Sequence, residues 1–248
     1  MRLQISSLSV RYGKLVALRD IDANADGGKI VSVLGPNASG KTTLLRCIAG
    51  LQTPTRGKVF LDGTSLGRLH PRERASKVAW VPRTSEVGGR FTLRRIVELG
   101  RFALGPSPSR VDDALYAVDL FDRADTLWHE ASAGMKQRTS IARALAQRTP
   151  GGLLVLDEPT SALDLLHVQV VANVLRKCAS EGDLVIAAIH NVALAIELAD
   201  TAFVLKRGEL VLSGQSSAVL TLGSLGEVFG VDLAWATDDA GKRYLVTP

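Results

Sequence analysis

An α/β fold built on a parallel sheet, with a helical subdomain inserted into it, is the architecture this sequence predicts, and three observations predict it. Short apolar runs at residues 30–35, 151–159 and 183–190 have the composition of strands buried on both faces, as strands inside a parallel sheet are. A glycine-rich loop and then an amphipathic segment follow the first of these runs directly, in the order strand, loop, helix. More than a hundred residues separate the first run from the second, and plainly helical segments occupy much of them.

Taken in order, the first sixty residues alternate β-like runs with turn signals: "LQISSLSVRY", then "LVALRDIDANADGGK", with Gly27 and Gly28 marking a turn, then the apolar "IVSVLG". In "KTTLLRCIAGL" the residues Leu44, Leu45, Ile48 and Leu51 recur at helical spacing, and Gly50 and the Pro54 region close the helix. A further strand reads "VAWVP". The segments "RVDDALYAVDLF" and "RTSIARALAQR" are helical, and they place a helical subdomain at residues 84–148. The strands "GGLLVLDEP" and "DLVIAAIH" follow. From Ala202 the pattern returns to strand in "AFVLKRGELVLSG", then a short helix "LGEVFG", then "RYLVTP". The expected organisation is one domain over residues 1–248, with the insertion at 84–148 and a C-terminal extension at 202–248. Internal repeats, low-complexity tracts and long linkers are absent from the sequence.

Composition narrows the function classes. A chain of 248 residues, 46% apolar and 22% charged, buries a real core. The net charge of +5 is spread along the chain rather than massed, which argues against nucleic acid as a partner. Cys47 and Cys178 lie in helical segments without the spacing of a metal site or the density of a secreted disulfide scaffold, so they read as buried structural thiols. The first residues lack an apolar signal region and no 18-residue apolar stretch occurs; the expectation is a protein that is neither secreted nor membrane-spanning.

The chemistry is concentrated in two stretches. "GPNASGKTT", residues 35–43, satisfies G-x-x-x-x-G-K-[ST] through Gly35, Gly40, Lys41 and Thr42. The two glycines let the chain fold back so that backbone N–H groups converge on one concavity, and the positive end of the following helix reinforces it for anions. Such a loop cradles phosphate. Lys41 reaches the outer phosphates of a nucleoside triphosphate, and the Thr42 hydroxyl suits Mg²⁺, a hard ion that takes oxygen ligands. The second stretch, "LLVLDEPT", puts Asp157 at the carboxyl end of an apolar strand, where open α/β sheets bind ligands and where it can hold the magnesium's water shell. Glu158 beside it is placed to accept a proton from an attacking water. A plainer reading makes this acidic pair a cap for a helix begun by Pro159.

These two stretches, with "LLVLDEPTSALD", "AAIHN" and the "IARALAQ" helix, resemble the ATP-binding subunits of ABC transporters over nearly the whole chain. The resemblance implies a P-loop NTPase core with a small antiparallel β subdomain and the inserted helical subdomain. It implies that Tyr12 stacks on adenine, that Gly35, Pro36, Asn37, Ala38, Ser39, Gly40, Lys41, Thr42 and Thr43 form the phosphate loop, and that Asp157 is the magnesium-linked aspartate. Glu158 matches the catalytic glutamate, His190 the switch histidine near the γ-phosphate, and Asp164 in "SALD" the loop that touches an opposing subunit. ATP and Mg²⁺ are the implied cofactors. The implied partners are a second copy of the chain, two integral membrane permease subunits and, through them, a substrate-binding protein, with the chain peripheral on the cytoplasmic side of the cell membrane. "FTLRRIVELGR" and "VLTLGSLGEVFGVDLAW" resemble the narrower group that energises import of iron siderophores, haem or cobalamin.

Two positions depart from the family pattern. Arg83 stands where a glutamine whose carbonyl reaches magnesium is usual; a guanidinium has five donors and no acceptor, so it cannot ligate the metal, and it pairs instead with a phosphate or with a carboxylate such as Glu86, or swings into solvent. The family signature Leu-Ser-Gly-Gly-Gln/Glu here reads Ala131-Ser132-Ala133-Gly134-Met135. Ser132 and Gly134, whose counterparts meet the γ-phosphate of the opposite subunit, are retained. Ala133 adds a Cβ at a close approach, and Met135 cannot reach back to complete a capping box. The expectation is an enzyme, an ATPase of reduced turnover; the alternative is an ATP-dependent clamp or switch with vestigial hydrolysis.

Overall fold

The computed structural model describes residues 1–237 and 243–247. Strands β1 (Arg2–Tyr12) and β2 (Leu15–Asp26) pair antiparallel, with Tyr12 opposite Leu15 across a turn at Gly13, whose φ of 59° suits glycine. After β3 (Lys29–Leu34) and α1 (Lys41–Ile48), the strand β4 (Arg56–Leu61) returns to β1 and carries the short β5 (Thr64–Ser65). These pairings give a four-stranded antiparallel sheet in the order β2-β1-β4-β5.

The chain then runs through α2 (Pro71–Lys77) into β6 (Val78–Val81), and leaves the sheet for α3 (Leu93–Leu99), α4 (Pro108–Ala117) and α5 (Ala133–Gln147). It re-enters at β7 (Leu153–Asp157), and continues through α6 (Leu165–Ser180), β8 (Leu184–Ala188), α7 (Val192–Leu198), β9 (Thr201–Lys206) and β10 (Glu209–Gln215). Two short helices, α8 (Ser216–Val219) and α9 (Leu222–Phe229), and the hairpin β11 (Ala234–Thr237) with β12 (Arg243–Val246) complete it. Pro248, the last residue of the strand-like "RYLVTP", lies outside the described residues.

The six-stranded sheet has the order β10-β9-β3-β8-β7-β6; all neighbours are parallel except β10, which hairpins back on β9. The period-2 rule of a strand sorts its residues between two cores. Ile30 and Leu34 of β3 enter the core shared with the helices on one face, whereas Val31 and Val33 enter the core shared with α1 and the antiparallel sheet. Leu44, Leu45 and Ile48 of α1 are wholly buried there, each contributing roughly 1.5–3 kcal/mol of transfer free energy. That burial fixes α1 against β7 and β8, so the loop joining it to β3 has little freedom.

Register then sets the level of the site. Val33 lies opposite Ala188 and Ala188 opposite Asp157, so the end of β7 is level with the last turn of β3 before the glycine loop. Val81 lies opposite Leu156, which brings Arg83 and Glu158, each two residues further on, to the same carboxyl edge. Both cysteines are buried and free, and burial pushes the Cys47 thiol up to about 12 and the Cys178 thiol up to about 11. They are inert packing groups at neutral pH. Among the described residues no helix is long and apolar enough to cross a membrane.

Candidate functional site

At the carboxyl edge of the parallel sheet, a cleft of about 410 Å³ is lined by Tyr12, Leu15, Val16 and Ala17, by the loop from Asn37 to Thr43, and by Arg83 and Glu158. Its volume falls in the ordinary range for small-molecule sites. Backbone crowding explains the two glycines of the loop. A Cβ on Gly35, whose φ is 142°, would sit 2.1 Å from the Leu205 carbonyl oxygen, and one on Gly40, at φ 104°, 2.7 Å from the Ala17 carbonyl oxygen. Ala38 also holds a left-handed backbone, at φ 60°. Lys41 is buried and its Nζ donates to the carbonyls of Gly35 at 2.8 Å and Pro36 at 3.0 Å, so the side chain lies along the inside of its own loop. Burial holds its pKa below the usual lysine value, against the opposing charges of Glu158 and Asp157.

The acidic pair is built differently from the helix cap that Pro159 suggested. Residues 159–162 form turns, and the next helix, α6, begins at Leu165 with Asp164 as its cap, accepting from the His167 N–H at 2.9 Å. Asp157 and Glu158 are therefore free of that duty. Asp157 is 2% exposed, and burial raises its pKa while a hydrogen bond from Thr42 opposes the rise. Glu158 has a φ of 51°, a left-handed conformation that costs a non-glycine residue on the order of 1–3 kcal/mol. Its backbone is pinned there: the N–H donates to Ala188 O at 3.1 Å, and its carbonyl accepts from the Ser161 hydroxyl at 3.1 Å.

Arg83 pairs with a carboxylate, and with one other than Glu86. Its Nε lies 3.2 Å from Glu158 Oε2, so the partner is the predicted proton acceptor and not Glu86. Nothing in the sequence marks this pairing, because it depends on the parallel register of β6 against β7.

The fit to a metal-bound nucleotide rests on unpartnered groups. Among the described residues, Ser39 Oγ and Asp157 Oδ1 are buried side-chain atoms without a hydrogen-bond partner. A buried polar atom left unpaired is costly and calls for an explanation. Here both belong to the oxygen-rich mouth of the loop, alongside the Thr42 hydroxyl, and a hard cation with phosphate oxygens satisfies such a set. Tyr12, 43% exposed, stands at the open end with its hydroxyl 3.4 Å from Gln52 Oε1. Leu15, Val16 and Ala17 also line the cleft, and sequence reading did not anticipate them; strand alternation alone does not say which β2 residues face a ligand.

Other expected residues lie elsewhere. His190 follows β8 at the same edge but is exposed and outside the lining of the cleft. Ser132 and Gly134 sit at the start of α5, a second surface. Ser132 caps that helix by accepting from the Met135 N–H at 3.2 Å, so the forward half of the capping box stands without the glutamate. The loop carrying Asp164 adjoins it, since a Cβ on Gly134 would lie 3.2 Å from the Ala162 carbonyl oxygen. The exposed Leu165 and Leu166 continue this surface. One chain thus separates the phosphate cradle from the signature residues.

Three comparisons place this arrangement. The family described as ABC transporter matches residues 18–161. A hemin import ATP-binding protein of Rhodopseudomonas palustris is 37% identical over 252 residues, 98% of this chain and 94% of that protein. A cobalamin import ATP-binding protein of Halobacterium salinarum is 36% identical over 255 residues, covering 100% of this chain and 64% of that protein. Among solved structures, an ATP-binding subunit of an ABC transporter superposes with a TM-score of 0.81 at 26% identity, over 93% of this chain and 98% of that one. A dimeric ATP-binding cassette in a post-hydrolysis state with ADP and Pi gives 0.78 at 26%, over 86% and 98%.

Proposed function

The chain belongs to the ABC transporter family as an ATP-binding, ATP-hydrolysing subunit, and from that premise we propose that it energises import of a haem-, cobalamin- or siderophore-like cargo. The observation that carries this reading is the cleft lined by the glycine loop and the pinned Glu158, with the buried, unpartnered Asp157 Oδ1 next to Glu158 at the same sheet edge. The names of the relatives support the direction and the class of cargo. They favour a transporter subunit over a free-standing clamp.

In the proposed reaction the backbone N–H groups of the loop and Lys41 Nζ hold the β- and γ-phosphates of ATP. Tyr12 carries the adenine. Thr42 and Asp157 would hold Mg²⁺, which supplies positive charge to the phosphate oxygens when bound. Glu158 accepts the proton of the attacking water as it adds in line to the γ-phosphorus, and His190 steadies the γ-phosphate. Positioning and electrostatics supply most of the rate. Because Ser132 and Gly134 lie on a surface apart from the cradle, they complete the site only in a head-to-tail pair of copies, each offering its α5 terminus to the other's nucleotide. The pair docks under two membrane permease subunits fed by a substrate-binding protein, on the cytoplasmic face. Affinity purification of the tagged chain from detergent-solubilised membranes should bring down one polytopic membrane protein; a soluble partner in its place would refute the transporter reading.

Arg83, Ala133 and Met135 should slow turnover without weakening nucleotide binding to the cradle. Restoring all three, by Arg83→Gln, Ala133→Gly and Met135→Gln, is expected to raise steady-state ATP hydrolysis about tenfold, roughly 1.4 kcal/mol of barrier. Met135→Gln also offers the missing half of the capping box, worth about 1 kcal/mol of local stability at the α5 terminus. Equal rates in the two proteins would count against it.

A further inference from the structure

We propose that Arg83 reads the γ-phosphate in this chain and ties the catalytic glutamate to it. Given the nucleotide reading of the cleft, on which this role depends, three features of one side chain point to it. Arg83 lines the same cleft as Tyr12 and the loop from Asn37 to Thr43. Its guanidinium contacts Glu158 through Nε alone, at 3.2 Å, and among the described residues no hydrogen bond engages its two terminal nitrogens. The side chain is 60% exposed while that of Glu158 is 10% exposed, so the pair has one end inside the site and one end open to what enters it.

A guanidinium is planar and rigid, with five N–H donors in a fork. With Nε turned to a carboxylate, the terminal nitrogens of the same plane remain for a second anion, and the geometry of the fork matches phosphate. The other cation of the cleft does a different job. Lys41 Nζ is held against the Gly35 and Pro36 carbonyls inside the loop, where it serves whichever phosphates occupy the cradle. Arg83 comes from β6, across the sheet edge, and shares the level of Glu158 by register. A diphosphate lying in the cradle is served by the loop; the third phosphate extends toward the Glu158 wall and meets Arg83. Arg83 is thus a specificity-determining residue for triphosphate over diphosphate, and its hold on Glu158 Oε2 is the restraint by which it slows turnover.

The test compares binding of adenylyl imidodiphosphate and of ADP, each with magnesium, to the full chain and to Arg83→Ala and Arg83→Lys. The variants need no hydrolysis to report, and replacement of an exposed loop side chain leaves both cores intact. Losing a charge-assisted contact to one phosphate predicts about tenfold weaker binding of the triphosphate analogue to Arg83→Ala. ADP binding should be unchanged, and Arg83→Lys should recover part of the loss because it retains charge without the fork. Equal weakening of both nucleotides would assign Arg83 to general cleft charge and overturn the proposal, as would unchanged affinity for both. Failure of the unmodified chain to bind either nucleotide would instead sink the reading of the cleft on which the proposal rests.

Discussion

Glu158→Gln is expected to lower ATP turnover by about 10² to 10⁴-fold, the range a positioned general base supplies, while leaving ATP binding intact. The substitution is nearly isosteric. The amide oxygen can still face Arg83, and the backbone at φ 51° stays pinned by Ala188 O and the Ser161 hydroxyl, because those bonds belong to the main chain. What is lost is the carboxylate's capacity to take a proton from water. Nucleotide affinity depends on the loop amides, on Lys41 and, on the proposal above, on the terminal nitrogens of Arg83, and the change leaves each of these groups in place while Arg83 still meets residue 158 through Nε. Single-turnover hydrolysis and equilibrium binding, measured on the same preparation, separate the two quantities. A loss smaller than about tenfold would mean that another group takes the proton.

The phosphate loop was legible because its motif is contiguous: the residues that crowd Gly35 and Gly40 are distant, but the need for glycine is written at those positions themselves. The buried strands were legible for the same reason, as runs of apolar β-branched residues. The Arg83–Glu158 pair was not. It joins residues 75 positions apart through the pairing of Val81 with Leu156, and parallel register leaves no mark in either strand's own sequence. The Asp164 cap shows a further limit. "SALD" read as a contact loop, and the structure gives the same aspartate a helix to begin, with the His167 N–H and ring both on its Oδ1. A short polar residue before an apolar helical run has that capacity locally, whatever else it touches.

The second large effect lies at the opposite edge of the sheet. Arg148→Met is expected to destabilise the fold by about 3–5 kcal/mol, the cost of leaving one member of a buried ion pair alone. Arg148 follows α5 and its guanidinium binds both Asp183, at the entry to β8, and Glu181, just past α6. The Asp183 side chain is 1% exposed and keeps only the Gly152 N–H, at 3.1 Å, once the arginine is gone. Glu181 is a third exposed, so Glu181→Gln should cost less than about 1 kcal/mol. Urea titrations should show the midpoint falling with an unchanged slope. Acid supplies an independent check. The hydrogen bond from Arg148 holds the Glu181 carboxyl below its usual value of 4.5, so its contribution is present above about pH 4.5 and is lost as pH falls through the depressed folded value. Glu181→Gln should remove that acid dependence, and Arg148→Met should remove it too, since the carboxylate then has no guanidinium to favour its charge. The arginine joins the end of α5 to the strand that leads to His190, so its loss should lower stability while nucleotide binding in the folded fraction stays the same. Binding weakened in step with the loss of stability, measured well below the melting transition, would show that the two edges of this sheet are coupled.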